Sequence, residues 1–404
     1  MADVTYKYNS ADNHLDQRWV PRNLWQDRVA AKFKDRAPKV VEKDGGEYWA
    51  WEDKIIAGRD GGTADGRDNA KFLDQFFGRS GARIPAGSLP PAEPALILEH
   101  MDFGNIYGYV GFGATRKWSI EDPQLRHEVY RVYADWVMEL NKHDPDRLMI
   151  LPILPVFDAA SVPGEIRRLA AMGCKAAEFV PFDGAEPLFH EVWEPAWEAF
   201  DETGMVLCAH IGGAAETSIP PAGRGERMAY FSCAPFSVAR PIADIVYSGA
   251  LQRHPGLKLL FAECRAGWVP FLAYWMDRQA QERPGLFADT GLDMLPSEYL
   301  KRQVLVTFEE DDIAAQMISH EDNILRHILA WGADYPHPQG TWPDPAPIFL
   351  NMFDGLGPEL RHEIVFGRMQ RFFNMSGPDP AQIATLDEIA GDGAGRTRTH
   401  ASFE

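Results

Sequence analysis

Cysteine is scarce in this chain: four among 404 residues, Cys174, Cys208, Cys233 and Cys264, with no CxxC spacing. That scarcity excludes a disulfide framework and a thiolate metal cage. Cys208 and Cys264 fall in apolar runs, so they read as small core residues, and nothing around Cys264 would depress a thiol pKa. Apolar stretches long enough to span a bilayer are missing, and Met1-Ala-Asp-Val-Thr-Tyr-Lys7 has no signal-peptide core. A cytoplasmic location without a membrane partner is the expectation. Positive charge is also short: 40 Lys and Arg stand against 59 Asp and Glu, a net charge of -19. Phosphate backbones and anionic lipid would be repelled, so nucleic acid is excluded and small molecules remain as partners. No internal repeat or low-complexity block appears.

What the chain does hold is a composition of 45% hydrophobic and 25% charged residues, enough for one large α/β core. Eight strand-like runs follow one another at 6–11, 95–100, 148–154, 176–180, 205–210, 258–263, 304–308 and 328–332. Several are nearly continuous apolar runs, as strands covered on both faces require. Between them lie helical segments that open on proline and stop at glycine: Asp122-Pro123 to Asn141, Ser161-Val-Pro163 to Gly173, and Glu186-Pro187 to Gly204. Further segments run from Arg240-Pro241 to His254 and from Gly267 to Glu282. Alternation of eight strands with helices predicts a (β/α)8 TIM barrel, a single domain over 1–390. Residues 20–94 are too long for one βα unit and predict an insertion after the first strand, a cap over the mouth or a dimer arm, with Trp25, Trp49, Trp51, Phe76 and Phe77 as anchors. The loop from Gly212 to Pro235 is expected to shape access to a site, and the polar tail at 391–404 to be flexible.

Chemistry in such a barrel belongs at the C-terminal strand ends. Asp334 ends the apolar Ile328-Leu-Ala-Trp-Gly-Ala-Asp334, His210 ends Met205-Val-Leu-Cys-Ala-His210, and Asp12 and His14 stand two apart after the first run. Residues two apart on a strand share a face, so these two carboxylates and two imidazoles predict one divalent metal: zinc first, with manganese or iron as alternatives. Singly, each has a plainer reading. Asp12 would cap a helix, His14 would sit at the surface, His210 would be a hydrogen-bonded core histidine, and Asp334 would make an Asx turn. Their joint placement favours the metal. Glu263, ending the sixth run, reads either as an ion-pair partner of Arg265 or of an adjacent strand's lysine, or as a general acid/base or a group that orients a ligand histidine, and Arg265 as that ion-pair partner or as an anchor for an anionic substrate. His337 lines the site or caps its loop. His100 also ends a run, with nothing else to recommend it. Trp49, Trp51, Phe103, Phe231 and Trp342 suit a flat aromatic acid, or else the core.

The stretches Asp12-Asn-His14, Cys208-Ala-His210-Ile-Gly212, Tyr247-Ser-Gly-Ala-Leu-Gln-Arg-His-Pro-Gly-Leu-Lys258 and Phe261-Ala-Glu263 to Pro270 carry a likeness, as do Pro296-Ser-Glu-Tyr299 and Gly332-Ala-Asp334-Tyr-Pro-His337. The set resembles the amidohydrolase-related family, which includes aminocarboxymuconate-semialdehyde, resorcylate and carboxyvanillate decarboxylases. The likeness covers the first strand and most of the chain from Leu148, not residues 20–94. It implies a barrel with one divalent metal on Asp12, His14, His210 and Asp334, and a homodimer. It also implies decarboxylation of a small aromatic or unsaturated carboxylic acid. Where the well-studied decarboxylases carry a histidine that moves a proton, this chain has Glu263. Hydrolysis of a C–C, ester, lactone or amide bond, with Asp334 as base and Glu263 or His337 as acid, is the alternative. An inactive barrel that only binds is the third reading.

Overall fold

Strands alternate with helices along the computed structural model, which describes residues 4–15, 19–52, 54–58, 93–113, 120–184, 186–211, 225–337 and 340–384. The expected tail at 391–404, residues 212–224 of the mouth loop, and residues 59–92 of the expected insertion, with Phe76 and Phe77, lie outside the described residues. In chain order the strands are β1 (Tyr8–Leu15), β2 (Lys39–Lys43), β3 (Gly46–Trp51), β4 (Lys54–Gly58), β5 (Ile106–Gly113), β6 (Leu148–Ile150), β7 (Ala176–Glu178), β8 (Val206–His210), β9 (Lys258–Ala262), β10 (Val304–Phe308) and β11 (Leu329–Trp331). Two parallel sheets carry the core, ordered β1-β5-β6 and β11-β10-β9-β8-β7. Isolated parallel bridges join their edges, Ile153 to Glu178 on one side and Asn13 to Tyr335 on the other. Burial on both faces explains the apolar runs: every residue of β1, β5, β8 and β10 is buried.

Expected helix starts appear where the backbone chemistry asks for them, except that the segment expected from Glu186-Pro187 opens only at Glu194-Pro195, after the short turn Glu191–Trp193. Asp122 caps helix Pro123–Asn141 by accepting from the Gln124 and Leu125 amides, and Gly204 ends helix Glu194–Thr203 in a left-handed turn at φ 66°. No described helix is long and apolar enough to cross a membrane.

One run was misread. Residues 95–100 belong to helix Pro94–Phe103, opened by proline in its first turn, and the second barrel-type strand is the next segment, β5. A short apolar run does not distinguish helix from strand, and β5 was hidden by Gly108, Gly111 and Gly113. These glycines permit close packing: a Cβ on Gly108 would lie 2.2 Å from Met375 Cε and 2.8 Å from Asn9 Oδ1. His100 therefore sits on a helix, buried, with Nδ1 2.5 Å from the Tyr335 hydroxyl.

The described part of 20–94 forms a short helix, Leu24–Arg28, and the antiparallel sheet β2-β3-β4. Its tryptophans are core and not ligand-facing. Trp25, Trp49 and Trp51 are all buried, Trp25 stands 5.2 Å from Trp49 ring to ring, and the Trp25 indole donates to Val129 O on helix Pro123–Asn141.

Candidate metal centre

β1, β8 and the turn after β11 bring Asp12, His14 and His210 into one cluster and set Asp334 against His14 in an adjoining one, each no more than 4% exposed. Gly332, just past β11, makes that approach feasible, because a Cβ there would lie 2.4 Å from Asp12 Cβ. Backbone bonds then lock the two segments in register, Asp334 N to Asp12 O at 2.9 Å and His14 N to Tyr335 O at 2.7 Å.

The separations fit atoms that share an ion. His14 Nε2 lies 3.1 Å from Asp334 Oδ1 and 3.8 Å from Asp12 Oδ1, and His210 Nε2 lies 3.6 Å from Asp12 Oδ1. The two longer values exceed a hydrogen bond. Two ligands about 2.1 Å from a first-row metal lie roughly 3.0–3.6 Å apart at octahedral to trigonal angles, close to what is seen. Ligand atoms of Asp12, His14 and His210 all fall within 4.8 Å of one another, as do those of His14, Asp334 and His337. Tautomer chemistry agrees. His210 Nδ1 is 2.9 Å from Ile211 O, a bond it makes only as donor, which leaves the Nε2 lone pair on the side of the carboxylates. Burial, aided by His337, pushes His14 down to about 4, so its ring is neutral near pH 7. Burial pushes the Asp334 carboxyl up, but His337 and His14 outweigh it and hold the carboxyl well below the usual carboxylate range. The donor set therefore suits a divalent cation.

Around these four stand the other candidates. Glu263 Oε2 is 3.1 Å from His210 Nε2, and His337 Nδ1 is 2.8 Å from Asp334 Oδ1, with the His337 ring stacked on His14 at 4.1 Å. Arg265 does not pair with Glu263 as one reading expected; its Nη1 lies 3.0 Å from Glu309 Oε2 and donates to Glu310 O at 2.6 Å. The reason is backbone shape: Glu263 and Arg265 both take left-handed φ, 55° and 47°, which turns the two side chains apart. Of the aromatic candidates, Trp342 is buried against Tyr335 and His100, Phe103 is exposed beside it, and Phe231 is exposed on helix Glu226–Cys233. Burial drives the Cys264 thiol far up, in keeping with a packing role.

Four residues of this region escaped the sequence. Phe112, near the end of the missed strand β5, packs 4.9 Å from the His210 ring. Glu178 ends β7 buried and accepts from Gly113 N at 3.1 Å. Thr307 on β10 receives the Glu263 amide at 2.8 Å and lies 3.4 Å from Asp12 Oδ2. Glu309, just past β10, is 1% exposed, and burial pushes its carboxyl up to about 8 against the pull of Arg265. The signal for Glu309 was present, since it is an acid where an apolar run stops; Glu178 stands inside its run, between Ala177 and Phe179.

Comparison with known proteins follows this geometry. No curated protein matches the chain. An amidohydrolase of Mycobacterium avium subsp. paratuberculosis K-10 superposes with a TM-score of 0.67 at 18% identity, covering 93% of this chain and 99% of that one. The 2,6-dihydroxybenzoate decarboxylase from Rhizobium gives 0.56 at 15% identity, over 92% of this chain and 100% of its own. A dihydroxybenzoic acid decarboxylase from Polaromonas sp. JS666, solved with manganese and 2-nitroresorcinol, gives 0.54 at 17% identity, over 77% and 93%. At these identities the likeness establishes a shared fold. A family model described as amidohydrolase matches residues 114–367, from just beyond β5 through the strand ends that carry His210, Glu263 and Asp334. With well over half its length inside that match, the chain belongs to the amidohydrolase family.

Proposed function

We propose that this protein is a metal-dependent decarboxylase of a small aromatic or unsaturated carboxylic acid, built on one barrel of eight parallel strands. The observation that carries the reading is the pair of adjoining clusters, Asp12, His14 and His210 and then His14, Asp334 and His337, with Glu263 3.1 Å from His210. These four residues would hold one divalent ion, zinc or manganese, which supplies Lewis acidity toward the substrate's carboxylate and a neighbouring oxygen. His210 and His14 present neutral rings to it, and Asp12 and Asp334 balance its charge. Glu263 is the proton carrier. Its Oε2 lies 3.1 Å from His210 Nε2, beside the ion's ligand atoms, where a carboxyl can carry a proton to a bound substrate. In the reaction that proton passes to the ring carbon, the bond from that carbon to the carboxylate breaks, and CO2 leaves. Solvent then restores the proton to Glu263. Arg265, held by Glu309, stands in the field of Glu263 and Asp334, where it orients an anionic substrate.

One observation favours hydrolysis as a second reading. His337 on Asp334 at 2.8 Å makes an acid–imidazole pair able to take a proton from water and return it to a leaving group. The test is a panel on protein reconstituted with zinc or manganese. CO2 release from 2,6-dihydroxybenzoate, 5-carboxyvanillate and related hydroxybenzoates supports the first reading. Acid production from esters or lactones without CO2 supports the second. Stoichiometric metal is required by both, and protein that binds no metal under either condition overturns them together.

A further inference from the structure

We infer that His100, on helix Pro94–Phe103, is a positioning residue of the metal centre, acting through the Tyr335 hydroxyl on the turn that carries Asp334 and holds His14. The inference rests on the metal reading above and is indifferent to which reaction the metal serves. Three described imidazoles are buried, His14, His100 and His210, and only His100 stands outside the two ligand clusters.

Tyr335 follows Asp334 directly, so its main chain serves both His14 and Asp334. Its carbonyl accepts from His14 N at 2.7 Å, while Asp334 N donates to Asp12 O at 2.9 Å. His14 is gripped on its other side by Tyr109, whose hydroxyl donates to His14 O at 3.3 Å. The gap from His14 Nε2 to Asp334 Oδ1 is 3.1 Å, so any rotation of this turn changes the spacing of two ligand atoms at once. From the turn the buried Tyr335 side chain runs to helix Pro94–Phe103, where its hydroxyl meets His100 Nδ1 at 2.5 Å. No other described residue takes a hydrogen bond from that hydroxyl. The helix side of the contact is fixed in turn. Trp342 Nε1 donates to His100 O at 3.1 Å, and the Trp342 ring packs 4.9 Å from Tyr335 and 5.5 Å from His100. A Cβ on Gly104, where the helix ends, would lie 2.8 Å from Trp342 Nε1, so glycine there leaves room for the indole.

Packing alone does not ask for this pair. A buried imidazole facing a buried phenol exchanges hydrogen bonds to water for one internal bond, which adds little net stability, and two apolar groups of the same shape would fill the space as well. What the pair adds is direction, because a hydrogen bond fixes distance and angle where apolar contact does not. Burial pushes the His100 imidazole down to about 4, so the ring is neutral near pH 7 and accepts from the hydroxyl at Nδ1.

Zinc or manganese affinity of the full chain, by competition with a fluorescent chelator, is measured beside thermal melts in excess chelator. Tyr335→Phe and His100→Leu should each weaken metal binding ~10–100-fold. The double substitution should weaken it no further than either single, because both remove one bond, while its melt without metal stays close to wild type. It also carries the test if a single, leaving its partner buried and unpaired, fails to fold. His100→Asn, which keeps an acceptor near the place of Nδ1, should bind metal within about threefold of wild type. Tyr107→Phe is the control. It removes a hydroxyl bond of the same kind, to Asp146 at 2.8 Å, at the far end of β5, and should lower the melt without changing metal affinity. A double that binds metal as tightly as wild type overturns the inference. So does one weakened by the product of the two singles, a His100→Asn as weak as His100→Leu, or a Tyr107→Phe weakened as much. A wild type that binds neither ion overturns the metal centre itself and this inference with it, a different failure from tight binding that ignores His100.

Discussion

Gly332→Ala tests the site without touching any of its polar groups. The added methyl would lie 2.4 Å from Asp12 Cβ and 3.3 Å from Asp12 Cα and N. Carbon atoms not bonded to one another need about 3.5–4.0 Å, so Asp12 must retreat by more than ~1 Å. It cannot do so freely, because Asp12 O accepts from Asp334 N at 2.9 Å and any retreat of β1 drags the facing strand end with it. Overpacking of this kind costs ~1–3 kcal/mol of stability. A metal site is stricter, because ligand distances hold within about 0.2 Å. We expect metal affinity to fall ~10–100-fold, equivalent to ~1.4–2.7 kcal/mol. The assay is zinc or manganese affinity by competition with a fluorescent chelator, beside a thermal melt in excess chelator. Gly285→Ala is the control, since a methyl there meets nothing within 4 Å. If Gly332→Ala folds and binds metal as tightly as wild type, Asp12 is not a ligand and the geometry has been misjudged.

Three further outcomes follow from single contacts. His210→Ala should abolish tight metal binding and turnover while the far-ultraviolet dichroism stays unchanged, since the side chain sits at a strand end; global unfolding would count against that placement. Glu263→Gln removes the proton proposed for transfer and should lower kcat at least ~100-fold with metal content unchanged; near-normal turnover would return Glu263 to a structural role. Asp146 receives Lys175 Nζ at 2.7 Å, Tyr107 OH at 2.8 Å and the Ser376 amide at 2.8 Å. Burial raises its carboxyl, but these bonds win and hold it at about 2 against an ordinary 3.8. A depressed acid stabilises the fold above its unfolded pKa, so this contribution of about 2 kcal/mol is complete above pH ~4 and lost as pH falls toward 2. Denaturant melts of Asp146→Asn should show less stability than wild type at pH 6 and no difference near pH 2, and an equal gap at both values would refute the assignment.

How much of this was legible in the sequence depends on what each segment buries. Strands β8, β9 and β10 are covered on both faces, so their apolar runs announced them, and the acid or histidine that closed a run marked the site. Asp334 and His210 were readable for that reason. β5 was not, because close packing against Asn9 and Met375 selects glycine, which erases the apolar signal; Phe112 was lost with it. Pairings were hidden as well. That Arg265 turns to Glu309 and not to Glu263 accompanies left-handed backbone at two positions either side of Cys264, which no residue type advertises. Trp49 and Trp51 were open to two readings, ligand pocket or core, and their burial places them in the core, since only coordinates reveal which rings face one another.

Strain at the strand ends ties these observations together. Seven described non-glycine residues have positive φ, and three of them, Glu263, Arg265 and Asp334, lie at this site. Each costs of order 1–3 kcal/mol unless its surroundings fix it. Here they do: the Glu263 amide is held by Thr307 Oγ1 at 2.8 Å, the Asp334 amide by Asp12 O at 2.9 Å, and Asp334 O accepts from His337 N at 2.8 Å. The same bonds that impose the turn also aim the side chain, so Asp334 swings onto His14 and Glu263 onto His210 before any ligand arrives. Relieving that strain would let the acids relax toward solvent. A fold that retains it in buried Asp334 and half-buried Glu263 gives up stability for the direction of two oxygen atoms, and that direction is what a cation or a departing proton would use.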